Sequence, residues 1–263
     1  MDILTEIAAR TKERVAAKKK ALPPEQLRRA AEAISAETGF PFEKALSRAG
    51  LTFICEVKKA SPSKGIITED FPYVQIARDY EAAGAGAVSV LTEPSYFQGD
   101  DQHLEEISKN VSLPLLRKDF TVDSYMLYEA KRMGASAVLL ICAILEAGAL
   151  QAYIQTASAL GLSALVEAHT ESEVEMALKA GARIIGVNNR DLKTFQVDMT
   201  TSERLRRLVP EDILFVSESG VREPEDVARL RRLGVNGVLV GEAFMRSTDK
   251  RAELARLLGG DYD

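Results

Sequence analysis

The sequence contains no tryptophan, two histidines and two cysteines, and aromatic residues make up 6% of it. Each scarcity excludes something. With few aromatics, the core must be built from Leu, Val, Ile and Ala, the composition of stacked parallel strands and amphipathic helices. Cys55 and Cys142 both fall in apolar, β-prone stretches, so they read as buried thiols rather than a disulfide framework. Two histidines offer little for a metal site. His103 falls in a predicted helix, and His169 reads as an ordinary polar loop residue, so no metal is expected. No apolar run is long enough to span a membrane. The N-terminal MDILTEIAARTKERV is charged and amphipathic without an apolar h-region, so no leader is expected and the cytoplasm is the expected compartment. The formal net charge of -5 and the lack of a basic stripe argue against nucleic acid as a partner. The one basic cluster, Lys18-Lys19-Lys20, reads as a solvated helix end. No Gly-x-Gly-x-x-Gly follows any predicted strand, and Ser61-Pro62-Ser63-Lys64-Gly65 lacks the Walker spacing, which excludes the common dinucleotide and ATP loops.

What is present is a regular alternation. The chain has 263 residues, 46% hydrophobic and 28% charged, enough for one sizeable core. Short runs rich in Val, Ile and Leu predict strands at 52–58, 87–92, 113–118, 137–143, 163–168, 184–188, 213–217 and 237–241. Amphipathic stretches predict helices at 72–84, 101–110, 123–133, 146–161, 171–181, 199–208, 223–234 and 249–258. Gly84, Gly134, Gly181 and Gly234 each close a helix just before a strand, where a left-handed residue is commonly needed. Eight βα units in this order predict an α/β fold, a TIM (β/α)8 barrel, as one domain over 1–263. The first 50 residues predict helices at 2–20 and 25–37 and a short turn after Pro41. They form a helical extension packed on the barrel, too small for a core of its own.

Polar residues then stand where a barrel should be apolar. Strand residues i and i+2 share a face. Phe53, Cys55 and Val57 therefore meet the helices, while Ile54, Glu56 and Lys58 face the interior. Buried charges cost several kcal/mol unless paired, and an internal ion pair would satisfy one strand alone. The pattern repeats, however. Lys118, Glu167, Asn188, Arg190, Glu218 and Ser219 all fall at or just past C-terminal strand ends, where barrel active sites lie. Such a mixture lets neighbouring charges tune one another for proton transfer. Small residues at Ser219-Gly220 and Gly241-Glu242, with a short helix predicted to start at Glu242, suit a phosphate approached by backbone N–H groups. Phe97 and Phe120 read either as core or as an apolar wall for an aromatic substrate.

These residues resemble those of a known family. Glu56-Val57-Lys58-Lys59-Ala60-Ser61-Pro62-Ser63-Lys64-Gly65 resembles the first-strand signature of the indole-3-glycerol phosphate synthases of tryptophan biosynthesis. The likeness continues through Ser89-Val90-Leu91-Thr92-Glu93, Leu116-Arg117-Lys118-Asp119-Phe120, Leu165-Val166-Glu167, residues 186–192, Ser217-Glu218-Ser219-Gly220 and Val240-Gly241-Glu242. It covers essentially the whole chain, extension included. Cys55 stands where a smaller residue is expected, on the face turned from the site.

The resemblance implies a carboxy-lyase without cofactor or metal. Its substrate is a small phosphorylated compound, 1-(2-carboxyphenylamino)-1-deoxyribulose 5-phosphate, closed to indole-3-glycerol phosphate with loss of CO2 and water. Lys118 is implied as general acid on the ketone oxygen. Lys58 is implied as carboxylate anchor with a part in the dehydration, and Glu167 as base or cation stabiliser. Glu56 and Asn188 position these groups and Glu218 lines the site. Arg190 contacts substrate, Ser61, Ser219, Gly220, Gly241 and Glu242 surround the phosphate, and Phe97, Phe120 and Leu139 surround the aromatic ring. The segment 61–68 is the expected closing loop. A monomer is expected, with other enzymes of the pathway as candidate partners. The rival readings are a sister barrel of the phosphoribosylanthranilate isomerase type, which needs a Cys/Asp acid–base pair, and a phosphate-binding barrel without catalysis.

Overall fold

The computed structural model describes residues 3–191 and 194–260; Leu192 of the 186–192 motif and the first residue of the predicted helix 2–20 lie outside them. Eight parallel strands close a barrel: β1 (Thr52–Val57), β4 (Ala87–Leu91), β5 (Leu115–Lys118), β6 (Ala137–Ile141), β7 (Ser163–Ala168), β8 (Ile184–Asn188), β9 (Leu214–Glu218) and β10 (Gly237–Val240). Each pairs with its neighbour in the chain, and β10 closes the ring on β1. Between β1 and β4 a small antiparallel hairpin, β2 (Ala60–Ser61) with β3 (Gly65–Ile66), stands over the barrel end.

The strands are followed by α4 (Tyr73–Ala83), α6 (Asp101–Ser108), α7 (Tyr125–Arg132), α8 (Ala147–Ala159), α9 (Glu171–Lys179), α10 (Thr200–Arg206), α11 (Pro224–Arg232) and α13 (Lys250–Leu257), with short α5 (Pro94–Phe97) and α12 (Glu242–Arg246) in the loops. The glycines predicted to close helices do so at φ of 94°, 83°, 86° and 68° for Gly84, Gly134, Gly181 and Gly234.

Strand alternation sorts the apolar residues into two layers. Phe53, Cys55, Val57, Val88, Val90, Val166 and Phe215 face outward into the core shared with the helices. Ile54, Ala87, Leu116, Leu139, Leu165, Ile184, Val216 and Leu239 fill the lower barrel interior. The extension closes both ends. Phe42 and Leu46 of α3 (Pro41–Leu46) join the interior cluster, and Thr52 Oγ1 at the start of β1 donates to Ala45 O at 2.7 Å. At the other end lies α1 (Ile3–Ala21), with Ile7 packed on the same cluster as Phe120.

The expected solvated end of α1 is not what forms. Lys18 pairs with Asp101 and, at 2.9 Å, with Glu129; Lys19 reaches Asp123 at 2.6 Å. Only Lys20 of the three is exposed. Acidic residues on α6, on α7 and ahead of α7 draw the other two inward. Other differences are local. The strand expected from 113 starts at Leu115, because Pro114 has no N–H for the ladder. The strand expected through 143 stops at Ile141, and Cys142 opens a 3-10 turn. The helix expected over 25–37 is α2 (Pro24–Glu32); beyond it, Ser35 and Thr38 bind local backbone through their hydroxyls instead.

Candidate active site

Inward-facing positions at the C-terminal strand ends carry the polar set. Glu56 leads β1 into Lys58, Lys118 ends β5, Glu167 lies on β7, Asn188 ends β8 and Glu218 ends β9. They line one cavity of about 470 Å³. Every residue assigned to the site from the sequence lines it: these six, with Ser61, Phe97, Phe120, Leu139, Arg190, Ser219, Gly220, Gly241 and Glu242. The structure thus brings the whole set to one place.

The Lys118 ammonium stands 3.3 Å from Glu218 Oε2 and 3.4 Å from Glu167 Oε2. Both carboxyl side chains are buried. Burial alone would lower the Lys118 pKa, but Glu218, Glu167 and Glu56 outweigh it and raise it, so the ammonium stays charged. One ammonium cannot neutralise two buried carboxylates. Burial tends to raise Glu167, yet Lys118 and His169 hold it below the usual carboxylate range. Burial pushes Glu218 up to about 7 against the pull of Lys118, with Glu167 adding repulsion. Glu167 is thus favoured as the ionised partner, and Glu218 holds a proton more readily than an ordinary carboxyl. Across the barrel, Lys58 bonds Glu56.

Two glycines make room for these charges. A Cβ at Gly186 would sit 2.4 Å from Glu218 Oε1, and one at Gly241 would sit 2.7 Å from Glu56 Oε2. Both are closer than real Cβ contacts allow. Other motif residues hold the walls. Glu93, buried at the N-cap of α5, accepts from the backbone N–H of Ser95, Tyr96 and Phe97. Asp119 accepts from Phe120 N at 2.8 Å. The two rings so placed lie 6.3 Å apart, centroid to centroid. Both rings line the cavity, and Phe120 also belongs to the interior cluster, so wall and core are one surface here.

On the opposite rim, Ser219 and Gly220 hold φ of 64° and 102°, an arrangement that turns the chain sharply after β9. Gly241 and the five-residue α12 face them. Lys64 and Arg246 flank Glu242 at 3.8 and 3.5 Å. Arg190 donates to Phe195 O at 3.1 Å, and Asn188 Oδ1 accepts from Arg190 N at 3.0 Å.

A sequence profile described as indole-3-glycerol phosphate synthase matches residues 4–257. The chain belongs to the indole-3-glycerol phosphate synthase family. It is similar to the indole-3-glycerol phosphate synthase of Ruminiclostridium cellulolyticum, at 58% identity covering 98% of this chain and 99% of that protein. That of Endomicrobium trichonymphae is 52% identical, covering 97% and 99%. Among solved structures, 3-hexulose-6-phosphate synthase from Salmonella typhimurium superposes with a TM-score of 0.64 at 13% identity, over 79% of this chain and 96% of that one. That likeness is one of fold.

Against this family background, two groups of cavity residues and one residue behind the cavity escaped the sequence reading. Ile3, Leu4 and Ile7 of α1 form an apolar wall. Their helical spacing was visible, but nothing local says which surface an amphipathic helix covers. Arg222 and Arg246 line the rim beside Ser219 and Gly241, and on a helix or loop such arginines look like any exposed cation. His169 lies in the loop after β7, as expected, and there stands between two carboxylates, 3.3 Å from Glu167 and 3.5 Å from Glu173.

Proposed function

We propose that this cavity closes the indole ring of 1-(2-carboxyphenylamino)-1-deoxyribulose 5-phosphate, releasing CO2 and water to give indole-3-glycerol phosphate. The substrate has an anion at each end and an aromatic ring between. The cavity offers a lysine-bearing apolar side and an opposite rim of small residues and cations, in the same order. Phe97, Phe120 and Leu139 sandwich the ring beside Lys58, which takes the carboxylate. Ser61, Ser219, Gly220, Gly241 and the backbone at Glu242 surround the phosphate, with Arg190 between the two ends.

The observation that carries the reading is the Lys118 ammonium, held charged between Glu167 and Glu218 on a largely apolar floor. As the ring carbon forms its bond to the ketone carbon, negative charge builds on the ketone oxygen, and Lys118 delivers the proton there. A positioned acid contributes roughly 10²–10⁴ in rate. Glu167 offsets the positive charge that develops on the ring and nitrogen. Loss of CO2 returns the electron pair to the ring. The new hydroxyl then leaves as water as the carbon beside the nitrogen gives up a proton and the ring double bond forms, with Lys58 assisting the proton transfer and Glu56 and Asn188 holding the acting groups in register. Glu218 lines the site and shares the ammonium of Lys118. Support against a Cys/Asp isomerase comes from Cys55, which lies in the outer layer with its thiol pushed up by burial. The reading carries with it one domain over 1–263, a monomer in the cytoplasm, and a hairpin loop over 61–68 that closes on substrate. Among the described residues no helix is long and apolar enough to cross a membrane.

Lys118→Ala tests the acid. Turnover should fall by about 10²-fold or more, with substrate affinity within about tenfold of wild type. Turnover near the wild-type rate would remove Lys118 from that role.

A further inference from the structure

His169 does not line the cavity, yet it is mostly buried directly behind one of the residues that do. It follows β7, two residues after Glu167. Its Nε2 stands 3.3 Å from Glu167 Oε1. Its Nδ1 stands 3.5 Å from Glu173 Oε2, and the same Glu173 oxygen accepts from the His169 backbone N–H at 2.6 Å. Glu173 is the third residue of α9, where Thr170 caps the helix through Glu173 N. Strand end, cap and helix thus fix one imidazole with a carboxylate at each ring nitrogen. Both are ion-pair contacts, and buried Nε2 makes no hydrogen bond of its own; only the doubly protonated ring carries the charge that both carboxylates attract.

We propose that His169 is a positioning residue. Held as an imidazolium by Glu173, it orients Glu167 from behind and keeps it ionised while Lys118 engages the other carboxylate oxygen. The logic is that of any acid–base group oriented by a third residue. Glu167 uses its two oxygens separately, Oε1 toward His169 and Oε2 toward Lys118. Without His169, the one ammonium of Lys118 would have to serve Glu167 and Glu218 alone.

The surrounding charges agree. Glu167 from β7 and Glu173 from α9 stand at the imidazole, and the charge of Glu218 from β9 also acts on it. The thiol of Cys142, on the 3-10 turn packed against α9, donates to Glu173 O, and burial pushes its pKa to about 12, so it stays neutral. Burial opposes protonation of His169, but Glu173 and Glu167 prevail and raise its pKa. Glu167 and Glu173 are in turn both held below the usual range against burial. An opposite charge at this distance moves a carboxyl by roughly one pKa unit or more.

The inference rests on Glu167 acting as a carboxylate in the reaction above, and the experiment separates the two. Turnover is measured at pH 5 and pH 7.5 for the wild type, His169→Gln, Glu173→Gln and Glu167→Gln. His169→Gln should lower kcat at pH 7.5 by about 3- to 30-fold with KM within about twofold. It should also lower the pH 5 to pH 7.5 ratio at least about threefold further, because Glu167 then takes up a proton more readily. Glu173→Gln should move the ratio in the same direction, by less. The chain has two histidines, so imidazole nitrogen resonances assigned with His103→Gln report the ring directly. The His169 ring should remain an imidazolium above the ordinary value near 6.5 and lose that in Glu173→Gln. An inactive Glu167→Gln beside a His169→Gln profile that superimposes on wild type overturns the positioning role and leaves the Glu167 reading standing. A His169 ring that titrates at or below the ordinary value also overturns it. Full turnover in Glu167→Gln sinks the Glu167 reading itself.

Discussion

At position 186 a single methyl group separates a working barrel floor from a disturbed one. Its added Cβ would press on Glu218 Oε1 at 2.4 Å and on Leu165 Cδ1 at 3.1 Å. The first of these is the end of a flexible side chain and can swing away. Its swing, however, carries Oε2 off Lys118, now 3.3 Å distant. Gly186→Ala should therefore cost the fold only about 1–3 kcal/mol, the usual range for overpacking, while lowering kcat at least about tenfold. Urea unfolding beside steady-state kinetics checks both numbers; kcat within twofold of wild type would show that the place of Glu218 does not matter. The same steric reading explains why a bare glycine pattern in the sequence is ambiguous. Gly186 sits on a strand and looks like any weak spot in a β run, and only the partner strand reveals the carboxylate beside it.

Among the elements, α1 couples the extension to the chemistry. Arg14 donates to both oxygens of Asp119, at 2.7 and 2.8 Å, and Asp119 directly follows Lys118 while holding the backbone of Phe120. Thr92 Oγ1 bonds the same carboxylate at 2.7 Å, and Arg117 ties Thr92 to Asp101 and Glu129, the two acids that also hold Lys18. Helix, loop and strand end are one polar assembly, with Ile3, Leu4 and Ile7 presented to the cavity on its near side. Arg14→Ala should destabilise the protein by about 2 kcal/mol, the scale of hydrogen bonds to a charged group, and raise KM severalfold as the apolar wall loosens. Unchanged urea midpoints and unchanged KM would mean that α1 is held and placed by its apolar face alone. This assembly was hidden in the sequence. Arg14 and Asp119 are 105 positions apart, and a basic helix end reads as solvated until the acids it meets are known.

Over the whole molecule, the legible parts are those governed by short-range rules. Period-two alternation placed Glu56 and Lys58 inward and Cys55 outward, and the left-handed glycines marked where helices stop. Register around a closed ring did the rest, since a barrel brings all eight C-terminal strand ends together whatever their separation in the chain. Boundaries inside uniformly apolar runs, such as the end of β6 before Cys142, carried no local mark. The hairpin of β2 and β3 was missed because two-residue strands have no period to detect. His169 reads correctly as a loop residue, but the carboxylate it meets is not legible, because Glu173 is a turn away on a helix that looks ordinarily solvated.

The most direct measurement of what the molecule does uses the tryptophan it lacks. Without that background, an indole product stands out in fluorescence. The purified protein is incubated with 1-(2-carboxyphenylamino)-1-deoxyribulose 5-phosphate, and indole emission and CO2 are followed together. Indole emission should rise with one CO2 released per indole formed. No emission and no CO2 at micromolar enzyme would contradict the assignment of this cavity to ring closure.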